Sequence, residues 1–460
     1  MKAVLVQPFC FSKLVSGPVY SLGTGYIGSS IKRQCKKIFI YDFNLYKKSE
    51  KHLWTEIINN LEDINYLGIS ITAIPKYESF FNLLEVLKYI KKLYPKIVIF
   101  IGGIAIADKL SNLEKCDFID HIFIGESDNT VSDILQSGSQ DKIHFSKDAI
   151  DVTKLDFPIF PNNISNAVSI QSSRGCNNNC TFCTIPSRRW VARSEDSIDA
   201  EIERYIAHVK DEAKFLYFID ENMVGNNGKR INNIANIIYN KYPYIEWAMS
   251  FSTNSDILNL DLDLLKRSKL NNVFIGIESI NKSALKRYNK TFNLNKSKKI
   301  IKFFRDANIN VSIGYIPFDF WTSLDEVIES IKFIIDFEFF DFINNFYEQL
   351  IPFSTSKLGK RFSEEVFDND YFLYEALVET DYNYFQKDLK VELAKRLFSD
   401  LMDLGNKFSN KPHNKINSKC IKNIMTDYLA ILSMLKTPNG YKRINKLYFN
   451  LINKLKHMEM

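Results

Sequence analysis

Short runs of β-branched and aromatic residues alternate with helix-period stretches twice along this chain, and that alternation restricts the fold more than any other feature. Over residues 1–140 the strand-like runs are Lys2–Val6, Lys37–Tyr41, Tyr66–Ile71, Ile97–Ile101 and His121–Ile124. Between them lie amphipathic stretches such as Phe80–Ile90, apolar at helical spacing. Strands separated by helices must run parallel, joined by crossovers. Five of them predict a doubly wound α/β sheet, Rossmann-like and of flavodoxin-like type. Such sheets bind ligands beyond the carboxyl ends of their strands. At those ends the chain carries Gly68 and Ser70, Gly102 and Gly103, and Gly125 with Glu126. Glycine there lets backbone approach a ligand closely, or simply makes the turn after the strand, and each position taken alone fits both readings.

A polar, proline-containing stretch over residues 141–166 reads as a linker, because Pro158 and Pro161 end regular structure. The second alternation follows in residues 167–355. Its strands are Ala167–Gln171, Phe215–Ile219, Trp247–Thr253, Asn272–Ile277, Asn310–Tyr315 and Phe342–Gln349. One intervening helix begins near Ser194 and places Ile198, Ile202, Tyr205, Ile206 and Val209 on a single stripe. Another opens with the capping box Ser323-Leu-Asp-Glu326. Six βα units predict a partial (β/α)6 TIM barrel with its chemistry at the carboxyl-terminal mouth. Residues 356–460 lose the strand signal; helical patterns, broken at Pro438-Asn-Gly440, predict a helical cap.

Three of the chain's 7 cysteines fall in one loop, Ser173-Arg-Gly-Cys-Asn-Asn-Asn-Cys-Thr-Phe-Cys-Thr184, directly after the first barrel strand. The spacing of Cys176, Cys180 and Cys183 suits three irons of a four-iron cluster, leaving the fourth iron open to a substrate or cofactor. A zinc knuckle would need a fourth ligand, and no His or Cys follows within the next twenty residues or so. Cys10, Cys35, Cys116 and Cys420 are far apart and indicate no disulfide framework. With an oxygen-sensitive cluster, this predicts a reducing, cytoplasmic setting. The first residues, broken by Gln7 and Pro8, read as a strand and not as a signal peptide. The run Ile97–Ala107 is too short to span a bilayer. A net charge of +6, spread along the chain, allows an anionic partner without requiring one.

The cysteine loop, with Phe182 before Cys183 and a six-unit barrel around it, resembles the radical S-adenosylmethionine superfamily over residues 167 to about 350. The resemblance implies a 4Fe-4S cluster on Cys176, Cys180 and Cys183, whose open iron chelates S-adenosylmethionine. One electron then cleaves the cofactor to methionine and a 5′-deoxyadenosyl radical. It also implies cofactor contacts by Asp220, Glu221 and Asn222 after the second strand, and by Ser252 at the end of the third. Glu278 with Ser279 after the fourth would meet the ribose, and Arg193 the cofactor carboxylate. Each of these also reads as a polar residue capping a strand or, for Arg193, as a solvated arginine. The chain departs from the family in having Tyr315-Ile-Pro-Phe-Asp-Phe320 after the fifth strand, Asn254 where arginine is common, and Ser127-Asp128 after Gly125-Glu126.

The N-terminal unit is similar to the cobalamin-binding domain of cobalamin-dependent radical S-adenosylmethionine enzymes. The likeness is carried by strand order, Pro18, Leu22-Gly23, Asp42, Gly102-Gly103 and Gly125-Glu126. It implies cobalamin held by Gly68, Ser70, Gly102, Gly103, Gly125 and Glu126. No Asp-x-His-x-x-Gly motif occurs, so His121, read within the last strand of this unit, is expected to be structural and not a ligand to cobalt. The implied reaction is methyl transfer to an unactivated carbon of a peptide or small-molecule natural product, with a flavodoxin- or ferredoxin-type electron donor and no nucleic-acid partner. Cyclisation or rearrangement without methyl transfer stays open. So does a tRNA methylthiotransferase, to which Cys180-Thr-Phe-Cys-Thr-Ile-Pro-Ser-Arg-Arg189 with Arg193-Ser194 is similar. That group needs three more N-terminal cysteines, for which Cys10, Cys35 and Cys116 are poorly spaced, and a C-terminal β-barrel where this chain predicts helices.

Overall fold

The computed structural model describes residues 1–9, 21–72, 77–146, 150–339, 349–368, 384–408 and 418–436, apart from 162, 165, 186–188, 210–212, 254, 258 and 292. Pro18, Cys10, Asn254, Pro438-Asn-Gly440 and all of the proposed strand Phe342–Gln349 except Gln349 lie outside them.

The N-terminal sheet holds six parallel strands. They are β1 (Lys2–Gln7), β2 (Lys37–Asp42), β3 (Tyr66–Ser70), β4 (Val98–Gly102), β5 (His121–Ile124) and β6 (Ile143–Phe145), in the order β2-β1-β3-β4-β5-β6. The order reverses between β1 and β3, which makes their carboxyl ends the switch point of the sheet. Side chains alternate between two cores. Ala3 and Leu5 pack with the helices Leu22–Ile31 and Thr130–Ser137, whereas Val4 and Val6 pack with Glu50–Ile58 and Tyr77–Leu93. Strand β6 lies in the stretch read as linker, so β5 is not the last strand. Three residues are too few to show a period, and Phe145 is 60% exposed at the sheet edge.

Strands β7 (Ala167–Ile170), β10 (Phe215–Phe218), β11 (Glu246–Ser252), β12 (Leu270–Glu278) and β13 (Asn310–Tyr315) form a second, all-parallel sheet in sequential order, as in an opened barrel. Beyond β13, Gln349 makes an isolated parallel bridge to Phe318. Between β7 and β10 sit two short strands, β8 (Ser173–Arg174) and β9 (Val191–Ala192), paired antiparallel. The helix Glu195–Val209 buries Ile198, Ile202, Tyr205 and Val209, and Ser323 with Glu326 forms the expected capping box on Leu324–Asp336. Helices Lys357–Phe367, Leu389–Phe408 and Ser418–Leu435 follow. Phe398 and Tyr428 join the last two, and the Tyr428 hydroxyl donates to the Ala394 carbonyl at 2.6 Å. One continuous core runs from Leu5 and Tyr26 through Phe160 and Val168 to Trp247, Ile331 and Tyr428.

Candidate functional site

The antiparallel pair β8–β9 turns the cysteine stretch into a hairpin at the carboxyl end of β7. Its stem is fixed from below by Asp220, which accepts from the Ser172 amide at 3.1 Å, from the Ser172 hydroxyl at 2.8 Å and from the Ser173 hydroxyl. Glu221 accepts from the Gly175 amide at 3.2 Å, one residue before Cys176. Gly175 has φ +83, a conformation that strains any residue with a side chain. The hairpin's far side is clasped by two later segments. Thr181 donates its amide to the Tyr288 carbonyl at 3.0 Å and its hydroxyl to the Arg287 carbonyl at 2.6 Å. Asn289 donates to the Asn179 carbonyl at 2.8 Å, and the Leu358 amide to the Thr181 carbonyl at 2.8 Å.

Cys176 and Cys180 are buried and Cys183 is half-buried. Burial pushes the Cys180 thiol up to about 11, opposed by the nearby Lys290 ammonium. Among the described residues no three His, Cys, Asp or Glu side chains are arranged around a single metal ion. A four-iron cluster does not ask for that, because each thiolate binds its own iron. Three thiols on one pinned hairpin, with a half-open third, therefore fit a cluster better than a lone zinc ion.

The other candidates divide into two groups. Glu278 ends β12 with φ +65, at a register shift against β13, and its carboxylate accepts from Lys290 Nζ at 2.8 Å. Lys290 also donates to the Gly276 carbonyl at 2.7 Å. A Cβ on Gly276 would stand 2.7 Å from the Glu278 carboxylate, so glycine there makes room for the pair. Backbone strain at a strand end facing the cysteines is the kind of feature that clusters at functional sites. Ser279 is buried and its hydroxyl accepts from the Asn281 amide at 3.1 Å. Asn222 and Ser252, also buried, are joined to each other: Asn222 Oδ1 accepts from the Ser252 amide at 3.2 Å and from the Ser255 hydroxyl at 2.7 Å. Arg193 is not solvated. It ion-pairs with buried Glu201 and donates to the Gln171 and Ser197 carbonyls, both at 3.0 Å, so its guanidinium serves the hairpin's root.

All six N-terminal candidates, Gly68, Ser70, Gly102, Gly103, Gly125 and Glu126, line one cavity of about 150 Å³ at the switch point of the sheet. Leu5, Ile27, Phe100, Phe123 and Val131 make it mostly apolar, and Gly23 and Thr24 bring in the start of helix Leu22–Ile31. A Cβ on Gly68 would come within 2.4 Å of the Phe100 ring, so this glycine lets the ring lie along the cavity wall. Asp42 lies apart, buried and holding a turn by accepting from the Ser21 amide at 2.8 Å. His121 is buried with Nδ1 at 3.1 Å from both the Asp141 carbonyl and His144 Nε2, a structural position in the sheet.

Sequence reasoning did not single out Lys290, or Arg174 beside the cysteines. Arg174 reaches out of the hairpin to the cavity rim and binds Asp128 in two places, at 3.0 and 3.3 Å. The pairing is visible only once 46 residues of chain are folded back; a lone Arg before Gly-Cys carries no signal for it.

The site is thus a three-cysteine hairpin at the carboxyl mouth of a parallel, barrel-like sheet, set behind a Rossmann-like sheet. Residues 170–334 match the radical SAM superfamily, so this stretch is a radical SAM domain; the family uses a 4Fe-4S cluster and S-adenosylmethionine. The whole chain takes the fold of OxsB, a cobalamin-dependent S-adenosylmethionine radical enzyme solved with aqua-cobalamin bound. The TM-score is 0.74 at 17% identity, over 100% of this chain and 76% of that one. Among curated relatives, bacteriochlorophyllide d C-8(2)-methyltransferase of Chlorobaculum tepidum is 24% identical over 301 residues, 60% of this chain and 64% of its own length. A putative methylthiotransferase of Methanocaldococcus jannaschii is 24% identical over 377 residues, 75% of this chain and 78% of its own length. Among the described residues no helix is long and apolar enough to cross a membrane.

Proposed function

We propose that this chain binds cobalamin in its N-terminal unit and transfers a methyl group to an unactivated carbon of a peptide or small-molecule natural product. The observation that carries the reading is the meeting of two built sites, the pinned cysteine hairpin and the glycine-lined apolar cavity, at facing strand ends of adjacent sheets. Cys176, Cys180 and Cys183 would hold the cluster. Glu278, held by Lys290, and the segment around Asp220 and Glu221 would meet S-adenosylmethionine. Gly68, Ser70, Gly102, Gly103, Gly125 and Glu126, which line the cavity, would hold cobalamin there. When bound, these cofactors supply reductive cleavage of S-adenosylmethionine, hydrogen abstraction and a transferable methyl group. The protein's part is to exclude water, fix the hairpin and keep both cofactors on one side of the barrel. The electron comes from a flavodoxin- or ferredoxin-type donor, in the reducing cytoplasm.

A methylthiotransferase reading needs a second cluster on N-terminal cysteines. Cys35 packs in the core on one face of the N-terminal sheet and Cys116 against the core on the other, so those two cannot share a cluster. Anaerobic reconstitution with iron, sulfide and hydroxocobalamin tests the choice. The expected product holds about four irons and one cobalamin per chain. About eight irons with no cobalamin would overturn the proposal in favour of methylthiotransfer.

A further inference from the structure

Arg174 belongs by sequence to the cysteine hairpin, yet every recorded side-chain contact it makes points back toward the N-terminal cavity or the strand that supports both. Nη1 and Nη2 bind the two Asp128 oxygens at 3.0 and 3.3 Å. Nε and Nη2 donate to Gln171 Oε1, just past the end of β7, at 3.1 and 2.9 Å. The guanidinium stands 5.4 Å over the ring of Tyr26, in the helix that supplies Gly23, Thr24 and Ile27 to the cavity. Asp128 itself lines that cavity, directly after Gly125, Glu126 and Ser127. Both members of the ion pair are buried.

A planar fork that binds a carboxylate in two places fixes orientation as well as distance, which a lysine in its place would not do. A buried pair of this kind is a poor way to gain stability, since desolvation offsets much of the attraction, but it holds two elements in one register. Here the elements are the rim of one candidate cofactor site and the backbone two residues before the first cysteine of the other.

We infer that Arg174 and Asp128 are positioning residues shared by the two sites: the pair registers the cysteine hairpin against the cavity rim, so that disturbing either member disturbs the site that member does not belong to. This rests on the cluster and cobalamin reading above. It makes crossed predictions that a merely local role would not. Arg174→Lys, a change in the hairpin, is expected to weaken hydroxocobalamin binding to the reconstituted chain by about tenfold, followed by absorbance titration. Asp128→Asn, a change in the cavity rim, is expected to alter the electron paramagnetic resonance spectrum of the reduced cluster and to diminish its shift on adding S-adenosylmethionine.

Asp128→Asn leaves a buried arginine without its counter-charge and could unfold the chain. The milder variant Asp128→Glu keeps the counter-charge but moves the carboxylate out of its two-point register with Arg174, and keeps the measurement available. Because the change is confined to the cavity rim, an altered cluster spectrum in it is again a crossed effect. Unchanged cobalamin affinity in Arg174→Lys, or an unchanged cluster spectrum in Asp128→Glu, would overturn the inference. If the unaltered chain assembled a cluster but bound no hydroxocobalamin, the functional reading itself would fail, and that outcome is distinguishable from the first.

Discussion

Glu221 sits just past the carboxyl end of β10, accepting from the Gly175 amide of the cysteine hairpin. Burial, and after it the neighbouring Asp220 carboxylate, pushes its carboxyl up to about 7. A carboxyl raised in the fold keeps its proton where the unfolded chain has lost it. Its contribution to stability is therefore fully present below about pH 4.3, the unfolded value, and lost as pH rises through about 7. In cluster-free protein, Glu221→Gln should remove that loss and unfold later in urea at pH 8 than the parent. The gain is expected to reach up to about 3 kcal/mol and to vanish near pH 4. A gain equal at both pH values would mean that Glu221 does not titrate in this window. At Cys176, Cys180 and Cys183 the expectation is simpler. Replacing any one by Ala should abolish formation of 5′-deoxyadenosine under reducing conditions, measured by chromatography, and product persisting in a variant would refute the ligand assignment.

At the scale of the element, β4 ends on two adjacent glycines with different duties, Gly102 closing the strand and Gly103 opening the loop. Gly103 has φ +114, and a Cβ there would lie 2.2 Å from the Ile71 carbonyl oxygen, a backbone atom that cannot swing aside. Gly102 has ordinary backbone, and its nearest neighbours would be 3.5 Å away. Gly103→Ala is thus expected to cost more than about 2 kcal/mol and Gly102→Ala less than about 1, by urea denaturation. Comparable losses in both would show that the turn tolerates a side chain. The sequence reading treated these glycines alike, since a doublet after a strand does not say which member turns left-handed. What could be read was what local pattern controls. Strand β5 begins and ends where its β-branched run does, and the helix Leu324–Asp336 starts at its capping box. Strand β6 is too short to show a period. Arg193 reads from sequence as a cofactor contact or a solvated arginine because its partner Glu201 lies two turns along, in a core that only forms once the chain has folded. Lys290 stayed hidden for a related reason: its partner Glu278 is separated from it by a whole short helix, Lys282–Arg287.

For the molecule as a whole, the division into sheet, barrel and cap is less sharp than the alternation of its elements. Phe160 and Ile164, from the connecting stretch, pack in the same core as Tyr26 on one side and Val168 on the other. Asp108, after β4, accepts from the Ser354 amide at 2.9 Å and so ties the first sheet to the stretch leading into helix Lys357–Phe367. With no apolar boundary between the units, the full chain is expected to unfold in one cooperative transition by calorimetry. Two resolved transitions would show that the shared core is weaker than either part.

The clasp on the cysteine hairpin has an order in time. Leu358, whose amide holds Thr181, is made about 175 residues after Cys183. At ~5–20 residues per second of synthesis, that interval lasts roughly ten to thirty-five seconds. Through it the thiols are already on the nascent chain while the segment that will clasp Thr181 does not yet exist. The cysteine loop is thus complete in sequence well before the last of its backbone anchors is made.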